Sequence, residues 1–194
     1  MKLKKGISEI PPFLMKQIEA EFWKFIDLLD WSDLGEQSAD ESSYDVLVRK
    51  CELLNADPLK VLEPVIASLS SVHKEQAEQQ KANALLQKES NAIIFGYDEM
   101  FSLLLYQLDQ KRFAFKVESN DEDFLLNRCA VLLGGDEYYH AVLDGELPFP
   151  ALKAAPLLDV PAHAWARKNG REPSEYCNST KFKKKSRSNK KGWR

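Results

Sequence analysis

Ile93-Ile94-Phe95-Gly96-Tyr97-Asp98-Glu99-Met100-Phe101-Ser102-Leu103-Leu104-Leu105-Tyr106-Gln107-Leu108 is the most hydrophobic stretch of the chain, and its spacing decides the fold class. Ile93, Ile94, Tyr97, Met100, Phe101, Leu104, Leu105 and Leu108 recur at three- and four-residue steps. That is the period of a helix face, not the alternation of a strand. So wide an apolar surface predicts a helix through the centre of the core, with Ser90 placed to cap its start.

The same period extends in both directions. Upstream, Leu14, Ile18, Phe22, Ile26 and Leu29 follow the punctuation Pro11-Pro12, and Trp23 and Phe25 widen the face. A second helix is expected from Ser43 to Leu54, with Val46, Leu47, Cys51 and Leu54 inward. Asp57-Pro58 predicts a third: aspartate caps free amides, and proline loses nothing in the first turn. Leu59, Leu62, Val65, Ile66, Leu69 and Val72 form its face, with a kink or offset start at Pro64. His73 to Lys81 is polar on nearly every side.

Downstream, Phe113-Ala114-Phe115 reads as a link. Ser119 and Glu122 have capping-box spacing ahead of a helix carrying Phe124, Leu125, Arg128, Val131 and Leu132, which stops at Gly134-Gly135. Another helix spans Asp136 to Leu143. Residues 147–161 contain four prolines and read as a surface-hugging loop. Pro161 opens a last helix that Asn169-Gly170 ends. No alternating strand run or fixed-period repeat is present. The prediction is an all-α fold, an irregular bundle of six to eight helices with an extended basic C-terminal tail. Its parts are a leader (1–12), a helical domain (13–172) and a tail (173–194) that is extended or disordered.

The net charge of −3 averages two unlike regions. Residues 181–194 hold Lys181, Lys183, Lys184, Lys185, Arg187, Lys190, Lys191 and Arg194 and no acid, giving +8. The other 19 bases face all 30 acids, which leaves −11 on residues 1–180. No stretch approaches the ~18 apolar residues of a membrane span, so no membrane partner is expected. The N-terminus is too broken by Ser8, Glu9, Pro11 and Pro12 to be a signal-peptide core. Cys51, Cys129 and Cys177 are odd in number and far apart, as in reduced cytoplasmic thiols.

Common catalytic signatures are missing. Gly134-Gly135 lacks the spacing and lysine of a phosphate loop. The cysteines and His73, His140 and His163 do not cluster as zinc ligands, and no nucleophile elbow occurs. No metal and no cofactor are expected. Asp121, Glu122 and Asp123 are read chiefly as acids favouring a helix's positive end, although Asp98, Asp121 and Asp123 around a metal form an alternative. Arg128, inside an apolar face, is expected to pair internally with an acid such as Asp98 or Asp123.

Two surfaces are candidates for binding. Asp33, Glu36, Asp40 and Glu41 lie in an acidic linker suited to a basic partner protein. Lys183, Lys184, Lys185, Arg187 and Trp193 in the tail suit phosphates and stacked bases, a partner protein, or the acidic body itself.

Several motifs together resemble a largely bacterial family of helical domains of unknown function. Phe22-Trp23-x-x-Ile26-Asp27 is similar to its opening, and Phe95-x-Tyr97-Asp98-Glu99-Met100 with Leu104-Leu105-Tyr106-x-Leu108-Asp109 to its second signature. Asp121-Glu122-Asp123-Phe124 leading to Arg128, and Gly135 through Leu143, resemble the next two. Ser188-Asn189-Lys190-Lys191-Gly192-Trp193 is similar to an ending found in some members. The family often has Trp-Leu shortly after the arginine, where this chain has Ala130-Val131. The resemblance covers residues 21–194 and implies a compact helical domain, with no activity, cofactor or catalytic residues attached.

The function expected from these readings is a cytoplasmic protein-interaction domain without catalytic activity, of the inhibitor or immunity type, binding a basic partner. The alternatives are nucleic-acid association through residues 181–194 and a metal-dependent enzyme built from scattered acids.

Overall fold

The computed structural model describes residues 12–38, 40–71, 91–117 and 120–194. Residues 1–11 of the leader, Val72, the polar stretch from His73, Ser90 and Ser119 lie outside the described residues. So does the side chain of Leu14. Among the described residues there are eight α-helices and no strand: α1 (Pro12–Asp27), α2 (Ser43–Ala56), α3 (Pro58–Ser70), α4 (Ala92–Gln107), α5 (Lys111–Val117), α6 (Asp121–Leu133), α7 (Gly135–Asp144) and α8 (Val160–Asn169). The fold is all-α.

Local chemistry accounts for the boundaries. The Ser42 hydroxyl accepts from Asp45 N at 3.2 Å while Asp45 accepts from Ser42 N at 3.3 Å, closing a capping box at α2. Asp57 accepts from Lys60 N, and Pro58 takes the first turn of α3. α3 then continues through Pro64 to Ser70. Ser70 Oγ donates to Ala164 O at 3.0 Å, tying α3 to α8. α4 begins after Asn91, and α6 is capped by Asn120, whose side chain accepts from Asp123 N at 2.8 Å. Gly145 and Gly170, with φ of 87° and 63°, end α7 and α8 in the left-handed region that favours glycine.

α4 is the central helix. Ile94, Tyr97, Met100, Phe101, Leu104 and Leu105 are all buried, and α1, α3, α6 and α8 pack around them. Phe22 lies 5.0 Å from Tyr97 and 6.3 Å from Phe101 between ring centroids, so α1 and α4 join through aromatic rings. Trp23 reaches Tyr139 of α7 at 5.4 Å. Each such side chain contributes about 1.5–3 kcal/mol by leaving water.

Two segments differ from expectation. Residues 111–117 form α5, not a link: Phe113 is buried, whereas Phe115 is 70% exposed. The proline-rich segment enters the core. Phe149 stacks on Phe113 at 5.0 Å, and Ala154 and Leu157 are fully buried, the latter in a 3₁₀ turn (Ala155–Asp159). Asn127 Nδ2 to Leu152 O (2.7 Å) and Asn55 Nδ2 to Lys153 O (2.7 Å) satisfy backbone carbonyls that a helix would otherwise have paired.

Candidate functional site

α4 carries one buried carboxylate on its largely apolar inner surface, Asp98, and the turn after it carries a second, Asp109. α6 carries buried Arg128. Charges withdrawn from water need partners nearby, and residues 176–194 supply them. The segment expected to be an extended or disordered tail is an irregular chain held against the body. The tail has no α-helix, but it is bound along α4, the start of α5 and the start of α6.

Asp98 accepts from Tyr176 Oη and Asn178 Nδ2, both at 2.9 Å, and pairs with Lys184 Nζ. The aliphatic stem of Lys184 lets its ammonium lie 5.1 Å from the Phe101 ring centre. Burial, reinforced by the neighbouring Asp98 charge, pushes the Tyr176 hydroxyl well above its ordinary range, so it stays a donor. Beside this, Lys181 N donates to Glu99 at 3.0 Å.

Asp109 is fully buried and receives five hydrogen bonds. Arg187 N (2.9 Å), Ser188 N (2.7 Å) and Asn189 N (2.9 Å) converge on it with Ser188 Oγ and Trp193 Nε1 (2.8 Å). Arg187 has φ of 63°, the left-handed twist that turns consecutive N–H groups to one side and makes a concave anion nest. Here the anion is the protein's own carboxylate. Gly192 closes the turn: a Cβ there would lie 2.8 Å from Asp109 O and 2.9 Å from Gln110 Cγ. Its carbonyl accepts from Lys111 N at 2.9 Å, fixing the tail to α5.

Arg128 does not form the expected pair with Asp98 or Asp123. It donates to Leu105 O (2.7 Å), Lys184 O (2.8 Å) and Ser186 Oγ (3.0 Å), and its guanidinium lies 5.0 Å from the Phe124 ring centre. Asp98 is taken by Lys184, and Asp123 pairs with Lys153 at 2.7 Å. Burial draws the Arg128 pKa down while the Asp109 charge opposes it; an arginine nonetheless remains a cation. Arg128 thus holds the tail by its main chain instead of holding two helices by charge.

The remaining candidates divide. Lys183 and Lys185 are exposed, and Arg187 pairs with Asp121 at 2.8 Å on the surface. Trp193 is half-buried, edge-on to Phe124 at 6.1 Å. In the linker, Asp33 pairs with Lys60, and Glu41 pairs with Arg49 at 2.7 and 3.0 Å, while Glu36 and Asp40 are exposed. Asp98, Asp121 and Asp123 each turn to a different partner. Among the described residues, no three His, Cys, Asp or Glu side chains group as metal ligands. No described helix is long and apolar enough to cross a membrane.

Asp109, Ser186 and Ser188 are the tail-binding groups that reading the sequence for sites missed. The one available signal was an acid placed directly after an apolar helix, where a solvent-exposed turn would not require it.

A second feature lies apart from these contacts. An open cavity of about 350 Å³ is bounded by Gln37, Ser43 and Lys50 on one side and Gly134, Glu137 and Leu147 on the other. Residues 30–57 carry eight acids against two bases, and residues 134–147 carry four acids and no lysine or arginine. Two acidic segments therefore meet at one cavity. No family model matches the chain, and no curated protein or solved structure matches it either.

Proposed function

We propose that this chain is a protein-interaction domain without catalytic activity, of the inhibitor or immunity type, which captures a basic partner on its acidic face. One observation carries the reading: the two charge populations are kept apart. The hydrogen bonds that hold residues 176–194 to the body reach positions 98–128, so the tail's cations are carried on that part of the body. Of the acids of residues 30–57 and 134–147, Asp33 and Glu41 are taken by Lys60 and Arg49, and exposed Glu36, Asp40 and Glu137 are the ones assigned to a partner. Glu137 lines the shared cavity, Glu36 and Asp40 are exposed on the segment that includes Gln37 and Ser43 of its wall, and long-range attraction from such acids speeds encounter with a basic surface. A cytoplasmic setting fits, since Cys51, Cys129 and exposed Cys177 are all free thiols.

The test compares affinity capture from a cell extract by the natural chain and by the triple variant Glu36→Lys, Asp40→Lys, Glu137→Lys. The reading expects a basic protein held by the former and released by the latter, with its association rate lowered roughly tenfold or more. Equal capture by both chains would discard it.

A further inference from the structure

A second surface arises from the way the tail is anchored, independent of the acidic face. The anchoring uses backbone amides, hydroxyls, Lys184 and Trp193, which leaves Lys183, Lys185, Lys190, Lys191 and Arg194 exposed. Because Lys111 N holds Gly192 O, the neighbouring cations Lys190, Lys191 and Arg194 are brought toward α5, whose own Lys111 and Lys116 are exposed. Phe115 sits between these two lysines in sequence and is 70% exposed, an unusual cost for a large ring on a short helix. An open cavity of about 450 Å³ runs from Phe115 past Ala114 to Arg187 and Trp193.

The geometry points to this combined face of α5 and the docked tail as a binding site for single-stranded nucleic acid. Its lysines face the phosphates, and a base stacks on Phe115 at the mouth of the cavity that Trp193 lines. Charge complementarity selects a polyanion. The exposed ring selects the single strand, because a ring can stack only on a base whose face is not already covered by its neighbours in a duplex. Asp121, the acid within the cavity wall, is neutralised by Arg187 at 2.8 Å and does not repel the chain. An unstructured tail would offer the same charge without the ring; docking is what sets the two together.

The experiment measures fluorescence anisotropy of a labelled 12-nucleotide oligothymidylate with the full chain at several salt concentrations. A 12-base-pair duplex and heparin serve as competitors. Binding at low salt is expected to fall with a log–log slope of about −0.7 for each phosphate engaged. Phe115→Ala, at an exposed position, should weaken binding roughly fivefold or more without altering that slope. Lys190→Glu with Lys191→Glu should reduce the slope. Unchanged melting temperatures would show that both variants keep the fold. Absence of binding at low salt overturns the proposal. So does equal competition by duplex or heparin together with a neutral Phe115→Ala.

Discussion

The indole Nε1 of Trp193 donates to Asp109 Oδ1 at 2.8 Å, across 84 positions of sequence. The bond completes a ring of five donors around a fully buried carboxylate and gives the half-buried indole its acceptor. Asp109 is the point where the tail and the helical body depend on one another.

Asp109→Asn tests that dependence with almost no change of shape. The amide replaces one acceptor by a donor, which then faces N–H groups from Arg187 or from Ser188 and Asn189. Stability should fall by about 2–4 kcal/mol, because buried donors lose charge-assisted bonds. Urea unfolding would show a lower midpoint, and a fully retained midpoint would refute the role of the nest.

Arg128→Lys preserves charge and loses the fork. One ammonium cannot reach Leu105 O on one side and both Lys184 O and Ser186 Oγ on the other. A loss of about 2–3 kcal/mol is expected. Trypsin cleavage in 181–191 should become faster than in the natural chain, as the tail opens more often.

Gly192→Ala places a methyl group against the Asp109 carbonyl and the Gln110 side chain. The tail must shift, at a cost of about 1–3 kcal/mol. The diagnostic readout is loss of amide protection at Lys111, whose N–H donates to the Gly192 carbonyl, with α3 protection unchanged.

Alkaline stability follows from buried thiols. Burial pushes Cys51 and Cys129 up to about 12 from an ordinary value of 9.0, and Tyr138 up to about 12 as well. A folded-state pKa raised above its unfolded value gives stabilisation that is complete below the unfolded pKa. It is lost as pH rises through the interval toward the folded one. Melting temperature should therefore decline steadily above about pH 9, and Cys129→Ala should flatten the decline. With a thiol reagent at neutral pH, only exposed Cys177 should react promptly in the native chain. Prompt reaction of all three would contradict the burial.

The helices were legible where periodicity was long. α4 announced itself through Ile94, Tyr97, Phe101 and Leu105, and α3 through Asp57-Pro58. α5 was not, because Lys111–Val117 spans only seven residues and Phe113 and Phe115 recur at two-residue spacing, which no helical face requires. Arg128 stood out as a buried charge, but its acceptors are largely main-chain carbonyls, and a carbonyl leaves no trace in residue type. The tail's composition likewise argued against order, since few of its side chains are apolar. Its order comes instead from hydrogen bonds to two buried carboxylates and one buried arginine. Charge pointed to the acidic body as one candidate partner of the tail, without naming the groups that meet.

Asp98, Asp109 and Arg128 leave the ribosome well before Lys184, Ser186 and Trp193 do. Until those later residues emerge, the growing chain holds three ionic groups that its interior cannot accept. Of the three, only Asp98 receives a counter-charge from the tail, that of Lys184; Asp109 and Arg128 receive neutral hydrogen-bonding groups. A body stripped of residues 184–194 would keep the Asp109 carboxylate and the Arg128 guanidinium without the donors and acceptors that the tail supplies, which makes the tail a part of the interior and not an appendage to it.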